Sequence, residues 1–319
     1  MSQYITRRLI QSLFLLLGVT ILVFFMADAL PGDVLGAMIQ DDMPMSEEEL
    51  QLMRKRLGLD DPLHVQYAKW IGQLVQGNMG YSFVTGVPIA RTVAQRLPAT
   101  LELMGLSLLL SILLGITLGT LSALHPYSAL DVVLTVLSLV GRSVPVFFLG
   151  MLLIYAFALR LGWLPVAGRV TAGIPFSLYD HLHHLVAPVL SLSVIRTAGF
   201  TRYARASVLD VLHSEYLVVA RAKGLPERRV LLVHAMRNAL IPIITLIGLN
   251  LPRLVGGAVI IETVFQWPGL GYLFVLAVTQ RDMPMIMGLA LISAVAVFAA
   301  NLLTDIAYAV ADPRIRYEE

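Results

Sequence analysis

Cysteine is absent from this sequence of 319 residues, which excludes disulfide bonds, zinc–thiolate sites and a cysteine nucleophile. Charge is scarce as well, because Asp, Glu, Lys and Arg make up 14% of the residues whereas 57% are hydrophobic. A soluble core of this length could not bury so much apolar surface, so the chain needs lipid as part of its solvent. The formal net charge of +2 is too small to indicate nucleic-acid binding.

Catalytic motifs are missing too. The sequence has no HExxH pair for a metal, no paired aspartates within apolar stretches, and no serine–glycine nucleophile turn matched to a histidine. It also has no Walker-type loop, so this chain cannot hydrolyse ATP in the P-loop manner. We therefore expect a chain that is not an enzyme and binds no cofactor, and any energy from ATP must come from a partner.

One histidine cluster occurs in the sequence, formed by His181, His183 and His184. Imidazole nitrogens are common metal ligands, yet a solvated or interfacial loop is the favoured interpretation of this cluster. We assign no metal to it.

The apolar residues form stretches whose lengths fit a bilayer, which takes roughly 20 residues of helix. We predict six transmembrane helices, at residues 9–29, 97–124, 130–159, 185–203, 239–261 and 284–310. An even number of spans puts both chain ends on one side of the membrane. Four arginines then lie together on that side: Arg7, Arg8, Arg314 and Arg316. The positive-inside rule makes this side cytoplasmic.

Residues 31–96 are mixed and charged in composition, which predicts a small helical domain between the first and second spans. We expect this domain to be periplasmic, because loops of this length translocate largely regardless of their charge. The predicted organisation is therefore 1–30 with the first helix, 31–96 as the periplasmic domain, and 97–319 as an all-α membrane core.

Acidic residues are nearly absent from the middle of the predicted spans. Glu102 and Asp131 lie near span ends, and Asp305 lies in the last turns of the sixth span. An ion-driven transporter would be expected to carry carboxylates at mid-membrane. A channel or secondary transporter, which works without an ATPase, and a membrane enzyme, which needs only its substrate, remain the alternatives to an ATP-driven system.

Arginine is the charged residue that interrupts the apolar stretches, at Arg142, Arg196 and Arg253. A charge at the helix centre costs about 2.5–3.5 kcal/mol on insertion scales, and such residues usually face a bundle interior or a wet cavity. Pro145 loosens the backbone next to Arg142. We expect some of these arginines to line a pathway for an anionic group such as a peptide carboxylate. Alternatively, each reaches lipid head groups or pairs with a neighbour, as Arg253 would with Glu262.

The densest basic run reads EYLVVARAKGLPERRVLLVHAMRNALIP, from Glu215 to Pro242. Regularly spaced apolar residues predict an amphipathic helix at about 207–230, and Gly224 followed by Pro226 predicts a stop before a second helix. A basic amphipathic helix could lie on anionic lipid. The segment also resembles the coupling-helix loop of ABC importer permeases of the dipeptide, oligopeptide and nickel group, in which this loop docks into a groove on the ATPase.

Further segments resemble that family in the same order along nearly the whole chain. They are ALPGD at 29–33, LGLDDPLHVQYAKWI at 57–71, GNMGYS at 77–82, RLPATLEL at 96–103, ETVFQWPGLGYL at 262–273 and DPRIRY at 312–317. The general motif of Glu-Ala-Ala, three residues and Gly is matched by Ala220 and Gly224. Val218 and Val219 occupy its first two positions, as is usual in the peptide branch, and Asn78 stands where the family often has Asp.

The resemblance implies a type I ABC importer permease fold in the bacterial inner membrane, with both termini cytoplasmic. Such a subunit forms half of a translocation pathway for di- or oligopeptides. The implied partners are a second permease, two ATPase subunits that hold ATP and magnesium, and a periplasmic solute-binding protein. The family also handles glutathione, haem and nickel, and we expect a neutral-to-anionic peptide.

The resemblance also implies roles for two groups of residues. Those expected to couple the chain to the ATPase are Glu215, Tyr216, Ala220, Arg221, Ala222, Lys223, Gly224 and Leu225. Those expected to form a periplasmic gate or a docking surface are Phe265, Trp267, Pro268, Gly269 and Gly271. For this second group, an interfacial loop anchored by Trp267 is the alternative.

Overall fold

The computed structural model describes residues 2–29, 48, 49, 51, 52, 55, 58, 60–250 and 258–311. These residues form helices joined by turns and loops, with one isolated antiparallel bridge between Tyr81 and Pro88. The helices are α1 (Ser2–Ala29), α2 (Leu63–Val75), α3 (Ile89–Leu124), α4 (Ala129–Ser143), α5 (Val146–Leu153), α6 (Leu178–Leu212), α7 (Glu215–Ala222), α8 (Glu227–Arg229), α9 (Met236–Asn250), α10 (Val259–Val264), α11 (Leu270–Thr279) and α12 (Met283–Ala311). Two π-helical segments, Ile154–Arg160 and Val230–Ala235, continue α5 and α8.

Helices α3 and α6 form the central pair of the fold, and small residues on α3 let them approach closely. Ser111, Gly115 and Gly119 are spaced four residues apart and therefore lie on one face of α3. A Cβ atom added to Gly115 would lie 2.3 Å from the Cβ atom of Phe200. A Cβ atom added to Gly119 would lie 2.6 Å from that of Ala204. Close backbone approach through such small residues is how helices associate in lipid, where water does not drive them together.

Three helical stretches are each long and apolar enough to cross a bilayer: Ile89–Leu124, Leu178–Leu212 and Met283–Thr304. Two bent helix pairs would bring the number of spans to five: Ala129–Ser143 with Val146–Arg160, and Glu227–Leu240 with Pro242–Gly248. Within α1, the apolar stretch Ile10–Met26 is shorter than a full span. By length and composition, the described residues thus supply three to five spans of the six predicted.

The span predicted at 130–159 is wrong as a single helix. Its two halves, α4 and α5, meet at an angle of 100°. Pro145 lacks a backbone N–H group and disfavours helical geometry in the residue before it. Val144 accordingly has an extended conformation, with ψ of 125°. The proline identified in the sequence therefore breaks the helix instead of only loosening it.

The helix that contains the predicted second span begins before residue 97. Helix α3 begins at Ile89, so the boundary at residues 96 and 97 falls inside a continuous helix, which also accommodates Pro98. Ile89 is fully buried, among residues of α11 and α12 such as Leu270 and Leu289. The end of the predicted domain is therefore part of the helical core.

Two sets of contacts hold the segment before α3 against the helices. The ring of Tyr67 on α2 lies 5.4 Å from that of Phe24 on α1, and its hydroxyl lies 2.9 Å from the hydroxyl of Thr20. At the start of α12, the buried carboxylate of Asp282 accepts hydrogen bonds from the Ser82 hydroxyl and, at 3.1 Å, from the backbone N–H of Phe83. The segment at 79–89 is thus held against the N-terminus of α12.

Candidate functional site

The segment from α7 to α9 is a packed helical unit. Leu217 and Ala220, on one face of α7, are buried against Val230 and Ala235 of the following π-helical segment. Ala220 and Leu225 therefore face inward, although the sequence assigned them to ATPase coupling. The other coupling residues are exposed: Glu215, Tyr216, Arg221, Ala222, Lys223 and Gly224.

The amphipathic helix predicted at about 207–230 is divided among the end of α6, α7 and α8. Helix α6 ends at Leu212, and α7 begins at Glu215. Between them, the backbone N–H groups of His213 and Ser214 still donate to carbonyls of α6, while Ser214 has an extended conformation that starts the new helix. Since the apolar spacing continues across this break, sequence periodicity did not reveal it.

The exposed face of α7 carries two valines that were not among the predicted coupling residues. Val218 and Val219 are 59% and 53% exposed. The basic residues Arg221 and Lys223 follow them on the same short, exposed element. The two departures of this sequence from the Glu-Ala-Ala motif therefore lie on the exposed face of α7.

The turn after α7 is fixed by backbone geometry and by an ion pair. Gly224 has φ of 76°, a left-handed conformation that glycine adopts without strain, and its N–H group donates to the carbonyl of Arg221 at 2.9 Å. Across the turn, the Arg221 guanidinium donates to both carboxylate oxygens of Glu227, at 2.9 and 3.2 Å. This hydrogen-bonded arginine lowers the pKa of the Glu227 carboxyl. The turn therefore presents α7 in a defined orientation.

The arginines predicted to line a pathway differ in their surroundings. Arg196 on α6 is partly buried and donates to the hydroxyl of Ser107 on α3 at 3.1 Å. Arg142 is exposed in the last turn of α4, and no hydrogen bond or ion pair joins it to another residue of the described ranges. Its neighbour Gly141 lies against Val194, two residues before Arg196, so both arginines lie at one level of the fold. Arg253 lies outside the described residues.

Asp131 is the centre of a polar network at the C-terminal end of α3. Its carboxylate forms two 2.7 Å contacts with the guanidinium of Arg205 on α6. It also accepts hydrogen bonds from the Ser122 hydroxyl and from the Tyr127 N–H group at 2.9 Å. The network joins α3, α4 and α6, and the position of Asp131 near a predicted span end does not by itself indicate these partners.

The loop predicted as a gate or docking surface is organised around the buried carboxylate of Glu262. This carboxylate accepts hydrogen bonds from the Thr100 hydroxyl at 2.7 Å and from the N–H groups of Gly271 and Tyr272 at 2.8 and 3.1 Å. A Cβ atom at Gly269 would lie 2.3 Å from the same carboxylate. Glu262 is a possible partner of Arg253 by sequence, but no local pattern indicates its role in the loop, because Thr100 is 162 residues away in the chain.

Four of the five predicted loop residues are buried: Phe265, Trp267, Gly269 and Gly271. Trp267 is fully buried, and its indole N–H group donates to the carbonyl of Ala99 at 2.8 Å. The Trp267 ring thus packs inside the helical core, whereas the alternative of an interfacial loop would place it at the membrane surface. Pro268 is half-buried.

Trp267 lies beside a charged group that we call the outer cluster, formed by Glu102, Arg169 and His181. Arg169 donates to Glu102 at 2.7 Å, and His181 Nε2 lies 2.5 Å from the other oxygen of that carboxylate. The Arg169 guanidinium is 6.0 Å from the centre of the Trp267 ring, within reach of a cation–π contact. The outer cluster thus encloses one side of the loop.

The three clustered histidines do not converge on a common point. His183 contacts the carbonyl of Trp163 at 2.5 Å, and His184 contacts that of Asp180 at 2.8 Å, whereas His181 belongs to the outer cluster. Among the residues that the structure describes, no group of three or more potential ligands could hold a metal ion. His181 and His183 instead join α6 to another helix or a loop, whereas the contact of His184 lies within α6.

The chain matches two family models that together cover most of its length. Residues 1–104 match the N-terminal region of membrane components of binding-protein-dependent transport systems. Residues 115–317 match the model described as binding-protein-dependent transport system inner membrane component.

Curated relatives are similar to the chain over its full length. The oligopeptide transport system permease protein AppB of Bacillus subtilis is 45% identical over 318 residues, which are 99% of this chain and 100% of that protein. The di/tripeptide transport system permease protein DppB of Pseudomonas aeruginosa is 38% identical, and the glutathione transport system permease protein GsiC of Salmonella typhi is 37% identical, each with 100% of both chains covered.

A solved structure shares the fold. The chain resembles one from the inward-facing methionine ABC transporter MetNI, with a TM-score of 0.51 and 16% identity. The match covers 68% of this chain and 96% of the other.

Proposed function

This chain belongs to the family of inner membrane components of binding-protein-dependent transport systems, and we propose that it is one of two permease subunits of an ABC importer for peptides. The chain would form half of the translocation pathway and would not itself catalyse a reaction. Two partner subunits would bind ATP and magnesium, and a periplasmic protein would deliver the solute. The observation that carries the proposal is that α7 packs against the chain with one face and exposes the other. The exposed face offers a contact surface for a separate ATPase.

We propose six membrane spans with both termini in the cytoplasm. The spans are α1, α3, the bent pair α4 and α5, α6, residues 239–261, which begin within α9, and α12. Two charged networks support this arrangement: the outer cluster around Glu102 and the network that includes Ser122. These two residues are 20 positions apart on α3, or about 30 Å at 1.5 Å per residue, which is the thickness of a bilayer core.

The coupling role of α7 rests on how its two faces differ. Leu217 and Ala220 fix α7 to the rest of the segment, while Val218, Val219 and the basic residues stay accessible. A helix that docks in a groove on the ATPase moves with that groove, and a packed unit transmits the movement as a rigid body. Closure of the ATPase would thereby reach α6 and α9.

The pathway would pass the level of Arg142 and Arg196. The exposed guanidinium of Arg142 can meet the carboxylate of a peptide, since Arg–carboxylate hydrogen bonds are strong and directional. Arg196 donates a hydrogen bond to Ser107, so we expect it to act on the solute through its charge more than by direct contact. The names of the relatives, which include oligopeptide, di/tripeptide and glutathione permeases, support a peptide substrate.

The buried loop around Trp267 is proposed as the periplasmic gate. Its side chains fill the space between α3 and α6, and the Glu262 hydrogen bonds fix its position. In this role the loop would have to move for solute to enter. Residues 31–96 are proposed to lie in the periplasm, next to this gate.

Co-purification of the affinity-tagged chain from native membranes tests the proposal. The wild-type chain should recover a second permease and ATPase subunits, and Val219→Asp should lose the ATPase because a charge enters the contact surface. Val233→Asp is the matched control, since Val233 is 51% exposed but lies outside α7. A wild-type chain that recovers no nucleotide-binding partner would support the secondary-transporter alternative.

A further inference from the structure

An irregular segment with an exposed apolar surface, residues 161–179, joins the π-helical segment Ile154–Arg160 to the first turn of α6. Its most exposed large apolar side chains are between 53% and 77% exposed. They are Trp163, Ile174, Phe176, Leu178 and Tyr179. Apolar side chains exposed together in this way mark a site of contact with a membrane or with another protein.

The charge of this segment is paired within the fold. Arg169 is the only charged residue in the sequence from 161 to 179, and its guanidinium donates to Glu102 of α3 at 2.7 Å. Just beyond the segment, the carboxylate of Asp180 accepts hydrogen bonds from the N–H group and the hydroxyl of Thr171, both at 2.7 Å. These bonds fold the segment back on α6, and the surface that stays exposed is mainly apolar.

The segment lies at one end of the membrane-spanning helices. Arg169 fixes it to Glu102, which is 20 positions from Ser122 on α3, or about 30 Å, the thickness of a bilayer core. The segment follows the bent pair α4 and α5, which is long and apolar enough to cross a bilayer. Phe148 and Leu159 of this pair are 52% and 64% exposed. The apolar surface therefore continues from a membrane span to the level where hydrocarbon meets the head groups.

We propose that residues 161–179 lie in the head-group region of the lipid bilayer, with Trp163, Phe176 and Tyr179 as anchors. Tryptophan and tyrosine favour this region, because each combines an apolar ring with one polar group. The irregular backbone of the segment does not suit the hydrocarbon core, where exposed N–H and C=O groups lack partners. Head groups and their water supply those partners.

Two other occupants fit this surface less well than lipid does. A soluble protein that delivers solute must dissociate, and the aromatic side chains would then face water. Close packing against a second membrane subunit favours small residues, as Gly115 and Gly119 show for α3 and α6. Ile174, Phe176 and Leu178 are large. Lipid covers the surface at all times and adapts to its shape.

The segment also connects the membrane surface to the buried loop around Trp267. The N–H group of Gly168 donates to the carbonyl of Phe265 at 2.8 Å, and Leu164 packs against the buried cluster that contains Trp267. A shift of the segment at the membrane surface would therefore reach this loop. The role of the loop as a gate rests on the proposed function, whereas the contact of the segment with lipid does not.

Fluorescence quenching tests the lipid contact in the complex that the affinity-tagged chain recovers from membranes, reconstituted in nanodiscs. A fluorophore is attached to Phe176→Cys or, separately, to Tyr179→Cys. The natural chain contains no cysteine, so a complex with the unsubstituted chain gives the background from other subunits. Phospholipids with a nitroxide on the head group should quench both labels more strongly than phospholipids with a nitroxide at the chain end, and more strongly than aqueous iodide.

Val75→Cys is the control, because Val75 is 82% exposed on α2, in the part of the chain proposed to lie in the periplasm. Its label should lose more fluorescence to iodide than to either lipid.

Three results would overturn the assignment. Strong quenching of the Phe176→Cys and Tyr179→Cys labels by iodide, with weak quenching by lipid, would place the segment in water. Weak quenching by both agents would show that another protein subunit covers it. Equal quenching by lipid at Val75→Cys and Phe176→Cys would show that lipid contact is not particular to this segment. Recovery of an ATPase subunit is scored before labelling, so failure of the proposed function is seen separately.

Discussion

Glu262→Ala should destabilise the chain strongly, because it removes the acceptor at the centre of the buried loop. The Gly271 and Tyr272 N–H groups and the Thr100 hydroxyl would each lose a partner in a site that excludes water. An unsatisfied buried donor costs about 1–3 kcal/mol. Three such groups, which relax in part, give an expected loss of about 3–5 kcal/mol in the free energy of unfolding.

Glu262→Gln keeps the shape of the side chain and changes only its hydrogen-bonding capacity. The amide oxygen can still accept from the N–H groups of Gly271 and Tyr272, but the amide nitrogen cannot accept from Thr100. We expect a smaller loss, of about 1–2 kcal/mol. Thermal unfolding of the purified chain, followed by the fluorescence of tryptophan, measures both variants. Glu48→Ala changes an exposed glutamate and serves as the control. A Glu262→Ala variant as stable as this control would refute the account of the loop.

Three further predictions concern the central pair α3 and α6 and the turn after α7. Gly115→Ala should cost about 1–3 kcal/mol in unfolding experiments, because the new methyl group would meet a side chain of α6 at 2.3 Å. Asp131→Asn should cost about 2–4 kcal/mol in the same assay, since it leaves the Arg205 guanidinium without its carboxylate. Arg221→Gln should raise the pKa of the Glu227 carboxyl toward its ordinary value, as measured by carboxyl-carbon NMR. The folded state lowers this pKa, so the stability from the pair is present above the ordinary pKa of glutamate and is lost as pH falls through the lowered value.

Each of these predictions has an internal control or a contradicting result. Gly105 lies on the same helix, and a methyl group added there would have no neighbouring atom within 4 Å. Gly105→Ala should therefore be neutral or stabilising. Equal losses for Gly105→Ala and Gly115→Ala would contradict the close packing of α3 and α6. An Asp131→Asn variant that unfolds like the wild type would show that the pair with Arg205 contributes nothing. An unchanged pKa of Glu227 in Arg221→Gln would show that the ion pair is absent in solution.

Features that depend on local sequence were predicted well. The lengths of the apolar stretches identified a helical membrane protein, and the comparisons confirmed the family that the ordered motifs indicated. The stop at Gly224 was also predicted, because a left-handed residue followed by proline two positions later ends a helix by local geometry. The effect of Pro145 was located correctly, although the resulting 100° bend was not foreseen.

Features that depend on contacts between distant residues were not predicted. Glu262 and Thr100 lie far apart in the chain, and no local pattern indicates that they meet. The same reason explains the burial of Trp267, whose indole contacts Ala99. Apolar residues occur on two sides of α7, with Leu217 and Ala220 on one side and Val218 and Val219 on the other. Because these side chains are all apolar, the sequence does not indicate which side is buried. The packing of Leu217 determines that Val218 and Val219 face outward.

Crosslinking from α7 tests the central claim most directly. The chain contains no cysteine, so Val219→Cys introduces its only thiol. In membranes that contain the whole importer, a thiol-specific crosslinker on this residue should join the chain to an ATPase subunit. The control Val233→Cys, equally exposed but outside α7, should not. Crosslinking to the ATPase from Val219→Cys alone is the predicted result, whereas no ATPase adduct, or equal adducts from both positions, would contradict the role of α7.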